Sequence, residues 1–247
     1  MNDGGARTAG RPTLLLLHGM GATGEVWLPW TPLLRRRWDG RWLAPDLAGH
    51  GTSPPLPAYS FAALAERVAA ALAPGDRLIV LGHSLGGVVG LTLAARGAGL
   101  PVAAVVGLGI KAVWSDAELA RTRQLAARPV AWYPTRDEAA QRYLRVSGLA
   151  GLVAPDDPRV TAGLREVHGR WRLAMDRGAF AVAEPDLAAL VAATEVPVLL
   201  ARGEHDPLVT DGQLQRYGVP VATLSGLGHN AHVEDPEAVL ALVEAYR

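Results

Sequence analysis

Short runs that are apolar at nearly every consecutive position constrain this chain more than any other feature. Leu14-Leu15-Leu16-Leu17, within the candidate strand 13–17, is the purest, and residues 41–44, 78–81, 102–108, 196–201 and 221–224 are the other strand candidates. A strand with one wet face alternates apolar and polar residues, whereas a strand buried on both faces does not. Between the runs lie segments of helical apolar spacing, at 62–72, 85–96, 210–216 and 237–246. Strands alternating with helices predict βαβ units: a mostly parallel twisted sheet with helices on both faces. The 247 residues suit one large α/β domain, or one domain carrying an insertion. Nearly half of them are apolar, and 28 Gly and 18 Pro supply many tight turns.

The alternation breaks between about residue 111 and residue 184, which reads as helices only. Thr135-Arg136-Asp137-Glu138 predicts a capping box, and Gly148 the end of that helix. Asp157-Pro158 predicts an N-cap followed by Pro at the first helical position, with Val160, Leu164, Val167 and Trp171 on one helical face. A helical block between the fourth and fifth of these strands predicts a lid over the strand ends. The expected division is a core of residues 12–110 and 186–247, a helical cap of residues 111–185, and a flexible Gly-rich tail of residues 1–11.

Gly82-His83-Ser84-Leu85-Gly86 joins the 78–81 run to the 85–96 helix. So tight a strand–turn–helix connection strains its central residue and leaves no room for side chains two positions either side. Gly82 and Gly86 occupy those positions. Ser84 Oγ is then held out at the strand's carboxyl end, where ligands bind in such sheets, beside the free N–H groups of a helix start. The bland alternative is a glycine-rich turn with an N-capping serine. His18-Gly19-Met20-Gly21 follows the first run. Acyl transfer needs two donors aimed at the developing oxyanion, and the backbone amides of Met20 and Leu85 are candidates. The loops after the last two strands carry His205, His229 and His232, and Glu204, Asp206 and Asp211. A serine nucleophile needs a base near pKa 7, and a histidine base needs an acceptor to fix its tautomer.

Together these motifs resemble those of the α/β-hydrolase superfamily, from about Pro12 onward. Asp46-Leu47-Ala48-Gly49-His50-Gly51 is similar to the family's loop after its second parallel strand and reads as structural. The resemblance implies an α/β-hydrolase fold with a helical cap and a catalytic triad of Ser84, Asp206 and His229. It assigns the oxyanion hole to the amides of Met20 and Leu85. His229, in Gly226-Leu227-Gly228-His229, matches the family's position ahead of an acidic residue and Pro; His232 is then expected at a pocket rim or the surface. Glu204 is expected to be a solvated loop residue, and His205 and His168 structural or surface residues. Many relatives begin with an antiparallel strand pair, expected here to be truncated or absent.

The implied activity is a serine hydrolase cleaving an ester, thioester or lactone of a small to medium apolar substrate. Alternatives are a carbon–carbon bond hydrolase or perhydrolase using the same triad, or a ligand-binding protein on a hydrolase scaffold with little turnover. The family's dehalogenases and epoxide hydrolases use a carboxylate nucleophile, which Ser84 argues against. Trp114, Trp132, Tyr133, Trp171 and Phe180, with Trp27 and Trp30, are the aromatic candidates for the pocket. No cofactor is implied. The chain has no Cys and no His/Asp/Glu cluster of ligand spacing, so no metal is expected. Net charge is zero without a basic block, so the expected partner is a small-molecule substrate rather than nucleic acid, with a homodimer left open. No stretch approaches the ~18 apolar residues of a membrane helix, so no membrane insertion and a cytoplasmic location are expected.

Overall fold

The computed structural model describes every residue except 1, 7–9, 74, 76, 98, 99 and 183. The apolar runs become a seven-stranded sheet of β1 (Asn2–Gly4), β2 (Thr13–Leu17), β3 (Trp42–Ala44), β4 (Leu78–His83), β5 (Val102–Leu108), β8 (Val198–Gly203) and β9 (Val221–Leu224). A separate hairpin supplies β6 (Leu164–Val167) and β7 (Arg170–Leu173). The spatial order is β1-β3-β2-β4-β5-β8-β9, and only β1 runs antiparallel to its neighbour.

The helices are α1 (Thr31–Arg37), α2 (Phe61–Ala69), α3 (Leu85–Arg96), α4 (Asp116–Ala127), α5 (Arg136–Val146), α6 (Pro158–Ala162), α7 (Leu187–Ala192), α8 (Asp211–Gln215), α9 (Ala231–Glu234) and α10 (Pro236–Glu244). They explain why the strands are apolar throughout. Leu14 and Leu16 point to one face, among Trp30, Leu34, Leu240 and Val243. Leu15 and Leu17 point to the other, among Leu64, Val68, Val89 and Leu187. Each buried leucine contributes about 2 kcal/mol, so a polar residue at any position of Leu14–Leu17 is costly.

Two expectations are corrected. The first eleven residues are not all a flexible tail: Asn2–Gly4 pairs antiparallel with β3, in register Gly4 to Trp42. A Cβ on Gly4 would lie 2.2 Å from the Trp42 ring, so the glycine lets the edge strand lie against that indole. The family's leading strand pair is thus reduced to this one short strand.

The stretch between β5 and β8 is also not helical throughout. Val160, Leu164, Val167 and Trp171 share no helix, because α6 stops at Ala162 and a hairpin begins. Its turn is His168-Gly169, with φ of 50° and 74°. Positive φ at both central residues is the backbone of a tight two-residue hairpin turn, and histidine is among the side chains that tolerate it. Arg170-Trp171-Arg172-Leu173 then alternates as a strand does. Of the expected capping box at Thr135 the forward half is present, Thr135 accepting from the Glu138 amide, without the reciprocal Glu138 bond, and the expected N-cap Asp157 accepts from the Arg159 amide.

Candidate active site

Ser84 sits between β4 and α3 with φ 50° and ψ −113°, and it is one of two non-glycine residues at positive φ among those described. Such a conformation costs on the order of 1–3 kcal/mol and persists only where packing enforces it. The glycines on either side are enforced in the same way. A Cβ on Gly82 would lie 2.2 Å from the Gly86 carbonyl oxygen, and one on Gly86 would lie 2.4 Å from the Leu17 carbonyl oxygen. The turn is this tight because α3 starts directly against the end of β2. Ser84 makes no side-chain cap to α3, so the N-capping alternative fails.

The Gly19–Gly24 loop is anchored from behind. His18 Nε2 accepts from the Leu47 amide at 2.9 Å, and Nδ1–H donates to the Gly19 carbonyl. Burial holds the imidazole pKa below the usual value, against the Gly19 carbonyl and the Asp46 carboxylate, which pull it up. Asp46 accepts from the Gly24 and Thr52 amides and the Thr52 hydroxyl. Burial pushes its pKa up, but these donors outweigh it and hold the carboxyl below the ordinary range. The Asp46–Gly51 loop is therefore a brace for the loop that carries Met20. Among the described residues, no backbone carbonyl outside α3 accepts from the Met20 or the Leu85 amide, and both residues line the cavity described below.

His229 Nδ1–H donates to Asp206 Oδ2 at 2.9 Å. The Asp206 side chain is fully buried, and its other oxygen accepts from the Leu208 amide at 2.9 Å. Both lone-pair directions are thus used, which fixes the carboxylate plane and, through it, the imidazole. The rival acids are engaged elsewhere. Glu204 accepts from the Ser225 hydroxyl and the Gly226 amide, while Asp211 pairs with Arg202 and Thr223. His205 and His168 are exposed.

His232 is not at a rim or on the surface, as expected from the sequence, but buried. Its ring lies 4.6 Å from that of Trp27 and 4.3 Å from that of His83, which in turn lies 4.7 Å from that of His229. His83 Nε2–H donates to the His229 carbonyl at 3.0 Å, holding the loop from below. Burial first, then the neighbouring His232 and His229, push the His83 pKa well down; burial and His229 bring His232 to about 3. Trp27 and Trp30 belong to this support and not to a pocket. They meet edge to face at 4.9 Å, and Trp30 Nε1–H donates to the His232 carbonyl. Asn230 Nδ2–H donates to the Gly148 carbonyl, tying the His229 loop to the end of α5. Sequence reasoning missed His83, His232 and Asn230. Their one local signal is the polar character of residues beside Ser84 and His229 that turn out buried.

Ser84, His229, Gly19, Met20 and Leu85 border one cavity of about 420 Å³. Val88, Phe61 and Leu208 add apolar wall from the sheet side. The segment between β5 and β8 supplies Lys111, Trp114, Glu118, Arg121, Thr122 and Leu125 around α4, Arg145–Gly148 at the end of α5, and Phe180 and Val182. Of the expected pocket aromatics, Trp114 and Phe180 are there. Trp132, Tyr133 and Trp171 are elsewhere: Tyr133 and Trp171 bridge each other's backbones, and Trp132 stacks under Arg172. The structure thus joins His229 to Asp206 directly and sets Ser84 on the wall of the same cavity, with no hydrogen bond between Ser84 Oγ and the imidazole. Among the described residues, no three His, Asp or Glu side chains are grouped to hold a metal ion, and no helix is long and apolar enough to cross a membrane.

A sequence profile of the alpha/beta hydrolase family matches residues 14–242. The chain is 32% identical over 246 residues to a Yersinia pseudotuberculosis protein named 2-succinyl-6-hydroxy-2,4-cyclohexadiene-1-carboxylate synthase, covering 95% of this chain and 87% of that one. A Pectobacterium atrosepticum protein of the same name is 27% identical, over 96% of this chain and 94% of its own. Among solved structures, E-2-(acetamidomethylene)succinate hydrolase superposes with a TM-score of 0.79 at 25% identity, covering 99% of this chain and 92% of that one.

Proposed function

This chain belongs to the alpha/beta hydrolase family, and from that premise we propose that it is a serine hydrolase cleaving an ester, thioester or lactone of a small to medium substrate through an acyl-enzyme on Ser84. The observation that carries the reading is His229, held by the buried Asp206, on the cavity that the strained Ser84 also borders. His229 takes the Ser84 proton as the hydroxyl attacks the carbonyl, and Asp206 stabilises the imidazolium that forms. The amides of Met20 and Leu85 receive the oxyanion, and because one is a backbone group of a braced loop and the other of the first turn of α3 they need no reorganisation. His229 then protonates the leaving group, and water repeats the cycle on the acyl-enzyme. The bond from Ser84 Oγ to His229 forms with substrate in place, as such catalytic contacts commonly tighten in the complex. Residues 111–185 act as a cap that walls the cavity and sets substrate choice.

The resemblance to proteins named as synthases gives weight to a second reading, in which the same three residues act on a bond other than an ester. Fluorophosphonate labelling, read by mass spectrometry, combined with a panel of p-nitrophenyl esters tests both. Labelling at Ser84, with turnover that vanishes in Ser84→Ala, supports ester hydrolysis. Labelling without turnover shifts the case to the second reading or to a binding protein. A label on any other residue refutes the site.

A further inference from the structure

Four charged side chains border the cavity on the cap side: Lys111, Glu118, Arg121 and Arg145. Two of them cancel. Lys111 Nζ donates to Glu118 Oε1 at 2.5 Å, and Glu118 Oε2 accepts from the Ser115 amide and hydroxyl, so the carboxylate has no oxygen to spare. Arg121 and Arg145 form no ion pair or hydrogen bond among the described residues. Asp206, behind His229, is committed to that imidazole and the Leu208 amide.

The two arginines come from different elements. Arg121 lies on the face of α4 that also turns Glu118, Thr122 and Leu125 to the cavity. Arg145 is in the last turn of α5, where a cation suits the helix dipole; that accounts for its charge but not for its place on the cavity wall. Its neighbour Val146 packs on the Met20 loop: a Cβ on Gly21 would lie 2.6 Å from Val146 Cγ1. The positive field extends further. Val146 and Phe180 separate this cavity from a smaller one walled by Arg142 and Arg177. Arg177 is held below its ordinary pKa by burial first and then by Arg142 and Arg128.

With a neutral acyl chain in this cavity the two guanidiniums, both solvent-exposed, have only water as a partner beside an otherwise mostly apolar wall. An anion gives each a charge-assisted, fork-shaped partner, and the surrounding charge steers it in. We propose that the substrate carries a carboxylate or similarly compact anion away from the scissile carbonyl, and that Arg121 and Arg145 bind it. The inference deepens the serine-hydrolase reading and rests on it for the reacting end alone.

Two pairs of esters test it. 4-Nitrophenyl hydrogen adipate against 4-nitrophenyl methyl adipate places the charge on the acyl side. 4-Acetoxybenzoate against its methyl ester places it on the leaving group. In at least one pair the wild-type enzyme should prefer the anion by about 10- to 100-fold in kcat/KM, the range of a hydrogen bond to a charged group. The responding pair identifies the side. The double variant Arg121→Gln/Arg145→Gln should lose that preference, mainly through KM on the anionic ester, while an unchanged circular dichroism spectrum and Tm report an intact fold. Equal use of charged and neutral esters in both pairs, with every rate abolished in Ser84→Ala, overturns the anion site and leaves the hydrolase reading standing. Activity that survives Ser84→Ala overturns the hydrolase reading instead.

Discussion

Acidification from about pH 7.5 to about pH 5 should cost this fold about 4 kcal/mol through two histidines alone. His50 and His232 are both buried, and burial is the largest cause bringing each from 6.5 to about 3. His18 adds to the effect at His50, as does His229 at His232, since a charge on either neighbour opposes a second. The folded pKa lies below the unfolded one, so as pH falls the unfolded chain takes up protons first. Stability is therefore full above about 6.5 and is lost as pH falls towards about 3. At about pH 5 each unfolded imidazole lies about 1.5 units below its own pKa while its folded counterpart is still neutral, a difference of about 2 kcal/mol per site. Against a total of roughly 5–15 kcal/mol for a typical domain, this is a large fraction. His18 and His83 are shifted down as well and add in the same direction. Urea unfolding followed by tryptophan fluorescence at the two pH values measures the loss. The double variant His50→Gln/His232→Phe should recover about 4 kcal/mol of the pH-dependent part, whatever its stability at neutral pH. A wild-type stability that is flat between the two pH values, or a double variant with undiminished pH sensitivity, would refute the argument that burial keeps these rings neutral.

Two further outcomes follow from the site. Asp206→Asn removes the acceptor that fixes the His229 tautomer, so kcat on p-nitrophenyl esters should fall by about 10⁴ with KM little changed; a loss under about tenfold would show that this carboxylate does not serve the base. Gly86→Ala places a Cβ 2.4 Å from the Leu17 carbonyl oxygen, a backbone atom of a central strand that has little freedom to move. The variant should lose about 3 kcal/mol, read as a drop in Tm of roughly 10 °C, and a Tm within about 2 °C of wild type would show that the turn is looser than described.

Much of the sheet was legible because its cause is local. A run such as Leu14–Leu17 has no use unless both its faces are covered, and β2, β5 and β9 begin and end where the pattern predicts. The turn around Ser84 was legible for the same reason, since Gly82 and Gly86 are demanded by atoms within a few residues or on the adjoining strand. The hairpin at residues 164–173 was misread because apolar residues at 160, 164, 167 and 171 match a helical spacing by coincidence. The turn at His168 and Gly169, which decides against it, lacks the usual Asn-Gly or Asp-Gly signal.

The sequence alone determined the class of fold, the strained turn at residue 84 and the order of Ser84, Asp206 and His229 along the chain, because those depend on periodicity, sterics and chain order. Tertiary structure decided the rest. It buried His232 and stacked it between Trp27 and His83, withdrew the tryptophans at 27 and 30 from any pocket, and left Arg121 and Arg145 beside the cavity without a carboxylate. The physical reason is common to all of these. Burial and charge balance are sums over neighbours far away in the chain, and a residue's own surroundings in sequence do not contain them.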